Sequence, residues 1–104
     1  MKDETPYIYV FVRTDIPVAH QMVQTGHVCY MAGKLFDAQE DTFLVLCSVK
    51  DENELISIKS RLDLKGVKST MFFEPDNNFN YTSLCTESVT KEKRNIFSKY
   101  KLWC

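Results

Sequence analysis

Three side chains able to do chemistry, His20, Gln24 and His27, follow one another at spacings of four and three residues. On a helix that spacing puts all three on one face. No apolar periodicity calls for them there. A histidine in a first helical turn lies near the positive end of the helix dipole, which disfavours a second positive charge. A neutral imidazole so placed can act as a base near pH 7. The plainer alternatives are a solvated His20 and a His27 packed against a sheet. Glu74, Asp76 and Thr82 make a second group, at the end of one β pattern, in a turn and at the start of the next β pattern. A carboxylate and a hydroxyl held near a helix N-terminus can orient a water and stabilise an oxyanion. Ordinary turn chemistry also accounts for Glu74 and Asp76. A third group is basic: Lys91, Lys93, Arg94, Lys99 and Lys101 stand against Glu92 alone. Such a segment meets a phosphate backbone or forms a solvated helix face.

Several chemistries find no support. Two histidines need a third ligand for zinc, and Asp15 is a weak candidate at this spacing. With three glycines in 104 residues there is no glycine-rich phosphate loop. No G-x-S-x-G elbow occurs. The four cysteines, Cys29, Cys47, Cys85 and Cys104, form no C-x-x-C pair and read as buried free thiols. The apolar run at residues 43–47 is far too short to span a bilayer. The first residues lack the apolar stretch of a secretory signal, so a cytoplasmic protein with no membrane partner is expected.

These residues need elements to hold them. Residues 7–13, nearly all β-branched or aromatic, read as a strand covered on both faces. Asp15 and Pro17 mark a helix start near residue 16 or 17. The helix runs to about Lys34, with Ala19, Met22, Val23, Gly26, Cys29, Tyr30 and Gly33 as its apolar stripe. Two glycines on that stripe predict close approach to a sheet. Residues 34–41 connect to a second buried strand at 42–49. Asp51 and Glu54 form a capping box for a helix bearing Leu55, Ile58 and Leu62, which Gly66 stops. Strands follow at 67–74 and 81–86, joined as a hairpin through 75–80. Thr90 caps a last helix bearing Ile96, Phe97 and Tyr100, with Leu102 and Trp103 packing its end. The order β-α-β-α-β-β-α predicts one α/β domain over 1–104, with three α/β/α layers and a mixed four-stranded sheet.

Read together, these motifs resemble the archaeal/eukaryotic (type II) peptidyl-tRNA hydrolases. Residues 12–15 (Val-Arg-Thr-Asp) and a helix with Gln24-x-x-His27 are similar to the family's R-x-D turn and its K-x-A-A-Q-x-x-H-A helix. Lys50-Asp51-Glu52-Asn53-Glu54-Leu55 is similar to P-D-E-E-x-L, and Tyr100-Lys101-Leu102-Trp103 to L-K-L-Y. The likeness covers nearly the whole chain in order. It implies a hydrolase of translation that cleaves the ester joining a peptide to the terminal ribose of tRNA. It implies tRNA as partner, no metal, no organic cofactor, and often a homodimer. Carried over, His20 stands where the family has a lysine, as base or tRNA contact. Glu74 or Asp76, where the family has an aspartate, orients the water. Thr82 hydrogen-bonds the ester. Asp15, Gln24 and His27 contact substrate, and Lys91, Lys93 and Arg94 hold phosphate. The departures at His20 and Glu74, with six acids in residues 37–54, leave a second reading open: a non-catalytic module on the same fold that binds tRNA or a protein.

Overall fold

A computed structural model describes residues 5–37 and 41–104. Its elements follow the predicted order: β1 (Tyr7–Arg13), α1 (Val18–Phe36), β2 (Phe43–Val49), α2 (Glu52–Leu64), β3 (Ser69–Glu74), β4 (Asn80–Thr86) and α3 (Lys91–Arg94). The sheet has strand order β2-β1-β4-β3. β1 and β2 run parallel, and β4 is antiparallel to both β1 and β3, so the sheet is mixed as expected. Part of the predicted 34–41 connection, residues 38–40, lies outside the described residues.

Two cores form because the central strands alternate their side chains between faces. On one face Tyr9 and Phe11 pack with Leu55, Ile58 and Leu62 of α2, and with Phe97 beyond α3. Tyr9 and Phe97 stack with centroids 3.9 Å apart. On the other face Val10 and Cys85 pack with Val28 and Ala32 of α1. The three layers of the sequence reading are these two helical coverings and the sheet. Among the described residues no helix is long and apolar enough to cross a membrane.

The cap of α2 follows the predicted logic: the Asp51 side chain accepts from the Glu54 amide at 2.9 Å. Glu54 reaches back one residue beyond the cap, to the Lys50 amide at 2.7 Å. Gly66, at φ +76°, stands just past the helix in the left-handed region where glycine carries no Cβ penalty.

α1 departs from its predicted start. Its N-cap is Pro17, with no side-chain cap. Asp15 is engaged elsewhere: both its oxygens accept from the Arg13 guanidinium, at 2.8 and 2.9 Å.

The predicted apolar stripe of α1 is also corrected. Met22, Val23 and Tyr30 are 69%, 52% and 68% exposed. The buried residues are instead Gln21, Gln24, Val28 and Ala32. The helix is rotated because its two glutamines find partners inside, which hydropathy alone does not register. The glycines make no close approach, since a Cβ at Gly26 or Gly33 would meet nothing within 4 Å. Gly26→Ala is therefore expected to stabilise the fold by about 0.5–1 kcal/mol through helix propensity. Chemical denaturation reads this as a higher midpoint at unchanged slope, and an unchanged or lower midpoint would contradict the exposed placement.

The last helix is shorter than predicted. α3 has four residues and passes into a 3₁₀ turn at Asn95–Phe97. The tail then pairs with the β2 edge: the Ser48 amide donates to the Lys101 carbonyl, and the Trp103 amide to Leu46. The Trp103 indole donates to Gln21 Oε1 at 2.7 Å. Trp103 thus pins the chain end as expected, whereas Leu102 is exposed. Cys47 and Cys85 are buried free thiols, Cys29 is half-buried, and Cys104 is exposed, contrary to expectation.

Candidate functional site

The site lies where the N-terminal half of α1 crosses the β3–β4 end of the sheet. At its centre is a chain of side-chain hydrogen bonds. Thr82 Oγ1 donates to Gln24 Oε1 at 3.0 Å, and Gln24 Nε2 donates to Glu74 Oε1 at 2.9 Å. Glu74 Oε2 accepts from the Asp76 amide at 3.1 Å. The order of donors is dictated chemically. An ionised Glu74 can only accept, so the amide nitrogen of Gln24 must face it, and the Thr82 hydroxyl then donates to the amide oxygen.

A β-bulge makes this convergence. Phe72 pairs with Ser83 and Phe73 with Tyr81, leaving Thr82 as the extra residue of β4. A bulge breaks the strict alternation of a strand and re-aims a side chain. Here Thr82 and its neighbour Ser83 both turn toward α1, and the Ser83 hydroxyl donates to the Gln24 carbonyl at 2.9 Å. Gln24, Thr82 and Ser83 are all buried. Thr82→Val would leave the Gln24 amide oxygen without a donor, a loss of about 1–3 kcal/mol. Ser83→Ala removes a donor from a carbonyl that already belongs to the helical ladder, and is expected to cost less, ~0.5–1.5 kcal/mol. Urea unfolding of both variants checks the order. If Ser83→Ala loses more than Thr82→Val, the role given to the bulge is wrong.

Around this buried chain sits a half-exposed rim. His27 stacks on Phe72, centroids 4.5 Å apart and planes within 5°. His20 meets Phe79 edge-on at 5.3 Å. The Gln24 amide, then the Asp76 amide, hold the Glu74 carboxyl below the usual carboxylate range, and the nearby His27 and His20 act in the same direction. The loop after β3 turns through Asn77, Asn78 and Asn80, all at positive φ. Asparagine tolerates that region better than other residues with a Cβ. Arg13 latches the loop from below, donating to the carbonyls of Phe79 and Tyr81. Glu52, in the first turn of α2, accepts from the Tyr81 amide at 3.1 Å.

Of the residues singled out in the sequence, His20, Gln24, His27, Glu74 and Thr82 come together. Asp76 enters through its backbone N–H, and its side chain is exposed, so Glu74 is the carboxylate built into the cluster. Thr82 is fully buried and reaches the rim only through Gln24. Asp15 stands beside the site, paired with Arg13.

Lys91, Lys93 and Arg94 are not brought to the site. The Arg94 guanidinium lies 3.8 Å from the Tyr7 ring centroid and donates to the Tyr9 hydroxyl. Lys93 donates to the Gly66 carbonyl. Tyr9 belongs to the α2-side core, four residues before Arg13 on β1. At about 3.3 Å per residue that is roughly 13 Å back along the strand, on the α2 face of the sheet and not the α1 face that holds the Gln24–Glu74 cluster. Arg94 settles there because a guanidinium over an aromatic face, with a hydroxyl in reach, satisfies both its charge and its stem.

Ser83 and the Arg13 latch went unrecognised as parts of the site in the residue reading. Arg13 stood in the sequence as the arginine of the R-x-D-like turn, with no role assigned to it, and Ser83 carried no signal. Among the described residues no group of three or more His, Cys, Asp or Glu is arranged to hold a metal. No protein-family model matches the chain, and no curated protein matches it.

Proposed function

We propose that the cluster built on Glu74 hydrolyses the ester of peptidyl-tRNA or a related aminoacyl ester, releasing peptide and free tRNA. The observation that carries this reading is the Thr82–Gln24–Glu74 hydrogen-bond chain with two histidines on its rim. The ordered likeness to the peptidyl-tRNA hydrolase motifs supplies the substrate class. Glu74, held ionised by two donors, orients a water as acceptor. It is a weak base for the same reason. His20, on the rim beside it, takes the water's proton as the oxygen bonds to the ester carbonyl carbon. The bond to the ribose oxygen then breaks, and that oxygen takes the proton back. Gln24 and Thr82 are positioning residues: they fix the direction of the carboxylate without touching substrate.

The second reading, a tRNA- or protein-binding module without turnover, is favoured by one observation. Both oxygens of Glu74 already accept a hydrogen bond within the fold. Purified protein incubated with N-blocked aminoacyl-tRNA separates the two. Release of the blocked amino acid supports the esterase. Binding of the tRNA without release over hours removes the esterase in favour of the module.

A further inference from the structure

At the other side of the same sheet end is a cleft of about 360 Å³ between the end of β2, the start of α2 and the C-terminal tail. Lys50, Lys99 and Lys101 line it with Thr14, Ser48 and Glu54. Lys50 and the pair Lys99/Lys101 lie about fifty residues apart in sequence, so only the fold brings them to one concavity. Pairing of the tail with β2 makes this happen: the Ser48 amide donates to the Lys101 carbonyl, which seats the tail across the strand end.

The charge balance is unusual for this chain. The whole protein carries −1, yet three lysines and one carboxylate line this cleft, a balance of +2 among its lining residues. That carboxylate, Glu54, is already engaged by the Lys50 amide. The cleft opens outside the carboxyl ends of the parallel strands β1 and β2, where ligands of open α/β sheets bind. Lysines gathered in a concave site focus a positive field that suits a phosphate.

We infer that this cleft, rather than α3, seats a phosphodiester of a polynucleotide. Its place relative to Glu74 fits. Thr14 lines the cleft, while its neighbours Arg13 and Asp15 form the latch beside the Glu74 cluster. The two are separated by two or three strand spacings, on the order of 10–15 Å, within the span of a few nucleotides. The inference rests on the proposed function only for the identity of the polynucleotide as tRNA.

The test is anisotropy of labelled, deacylated tRNA between about 50 and 200 mM salt. Lys50→Ala/Lys99→Ala/Lys101→Ala is compared with wild type and with Lys65→Ala/Lys68→Ala/Lys91→Ala, which removes the same charge from exposed positions elsewhere. Circular dichroism verifies that each variant is folded. The cleft variant is expected to bind at least tenfold more weakly at the lowest salt. Its slope of log affinity against log salt should fall by about 2–3. The control should stay within about threefold of wild type. Equal losses in both triple variants, or none in the cleft variant, overturn the inference. Inorganic phosphate that binds wild type through these lysines while tRNA does not bind would overturn the polynucleotide assignment. Lysine-dependent tRNA binding without ester release leaves the inference standing and removes the esterase. Release with binding independent of these lysines does the reverse.

Discussion

Glu74→Gln is expected to lower release of the blocked amino acid from N-blocked aminoacyl-tRNA by about a hundredfold, with the fold intact. Displacing a positioning group by about an ångström costs that much, and here the change goes deeper. Glu74 accepts from Gln24 and from the Asp76 amide. A glutamine at position 74 must offer its amide nitrogen to one of those two donors. Donor would face donor, so the side chain or Gln24 must turn. If Gln24 turns, its amide nitrogen faces Thr82, whose hydroxyl must then accept where it had donated. Single-turnover kinetics with saturating protein would show the loss in the chemical step, not in tRNA affinity, because the lysine cleft is untouched. Release within threefold of wild type would sink the assignment of Glu74.

The same variant has a pH signature. The folded pKa of Glu74 lies below its usual value, held there first by the Gln24 amide. Stability from such a group is fully present above the unfolded pKa and is lost as pH falls through the folded pKa. Wild type should therefore lose stability across that acidic window, and Glu74→Gln, with no carboxylate to protonate, should lose less over it. Urea midpoints measured at several pH values through the carboxylate range compare the two slopes.

Phe11→Ala is expected to produce the largest stability loss, about 3–5 kcal/mol. Phe11 is fully buried in the centre of β1. Its ring meets Tyr100 edge-on at 5.1 Å and lies 6.3 Å from Phe97. One residue thus ties the sheet to the C-terminal segment that covers its α2 face. A domain of this size has roughly 5–15 kcal/mol in total, so the variant stands near the edge of folding. At about 4–8 °C per kcal/mol the melting temperature should fall by roughly 15 °C or more. Calorimetry gives the answer directly. A shift of only a few degrees would mean that the segment after α3 repacks to fill the space, and that its attachment is looser than the aromatic contacts imply. A milder replacement, Phe11→Leu, should keep most of the contact and lie between the two.

Sequence alone determined the elements and their order, because those depend on neighbours along the chain. The apolar runs at 7–13 and 42–49, the Asp51 cap, the Gly66 stop and the turn-rich 75–80 segment are all local signals. The spacing of Gln24 and His27 was also legible, since a helix repeats every 3.6 residues wherever it packs. Tertiary structure decided which face of α1 is buried. Hydropathy favours Met22, Val23 and Tyr30, but Gln21 and Gln24 go inside because Trp103, Glu74 and Thr82 wait there as partners. A buried polar side chain is stable only with its partner in place, and the partner is 50 to 82 residues away. Tertiary structure likewise brings the Glu74 carboxylate, and not that of Asp76, against Gln24 of α1: Asp76 contributes its backbone amide and leaves its side chain exposed. The basic residues divided the same way. Arg94 found an aromatic bed on the far face, while Lys99 and Lys101 met Lys50 only because the tail pairs with β2. Charge along the sequence states how many cations there are, and only the closed fold states which of them share a surface.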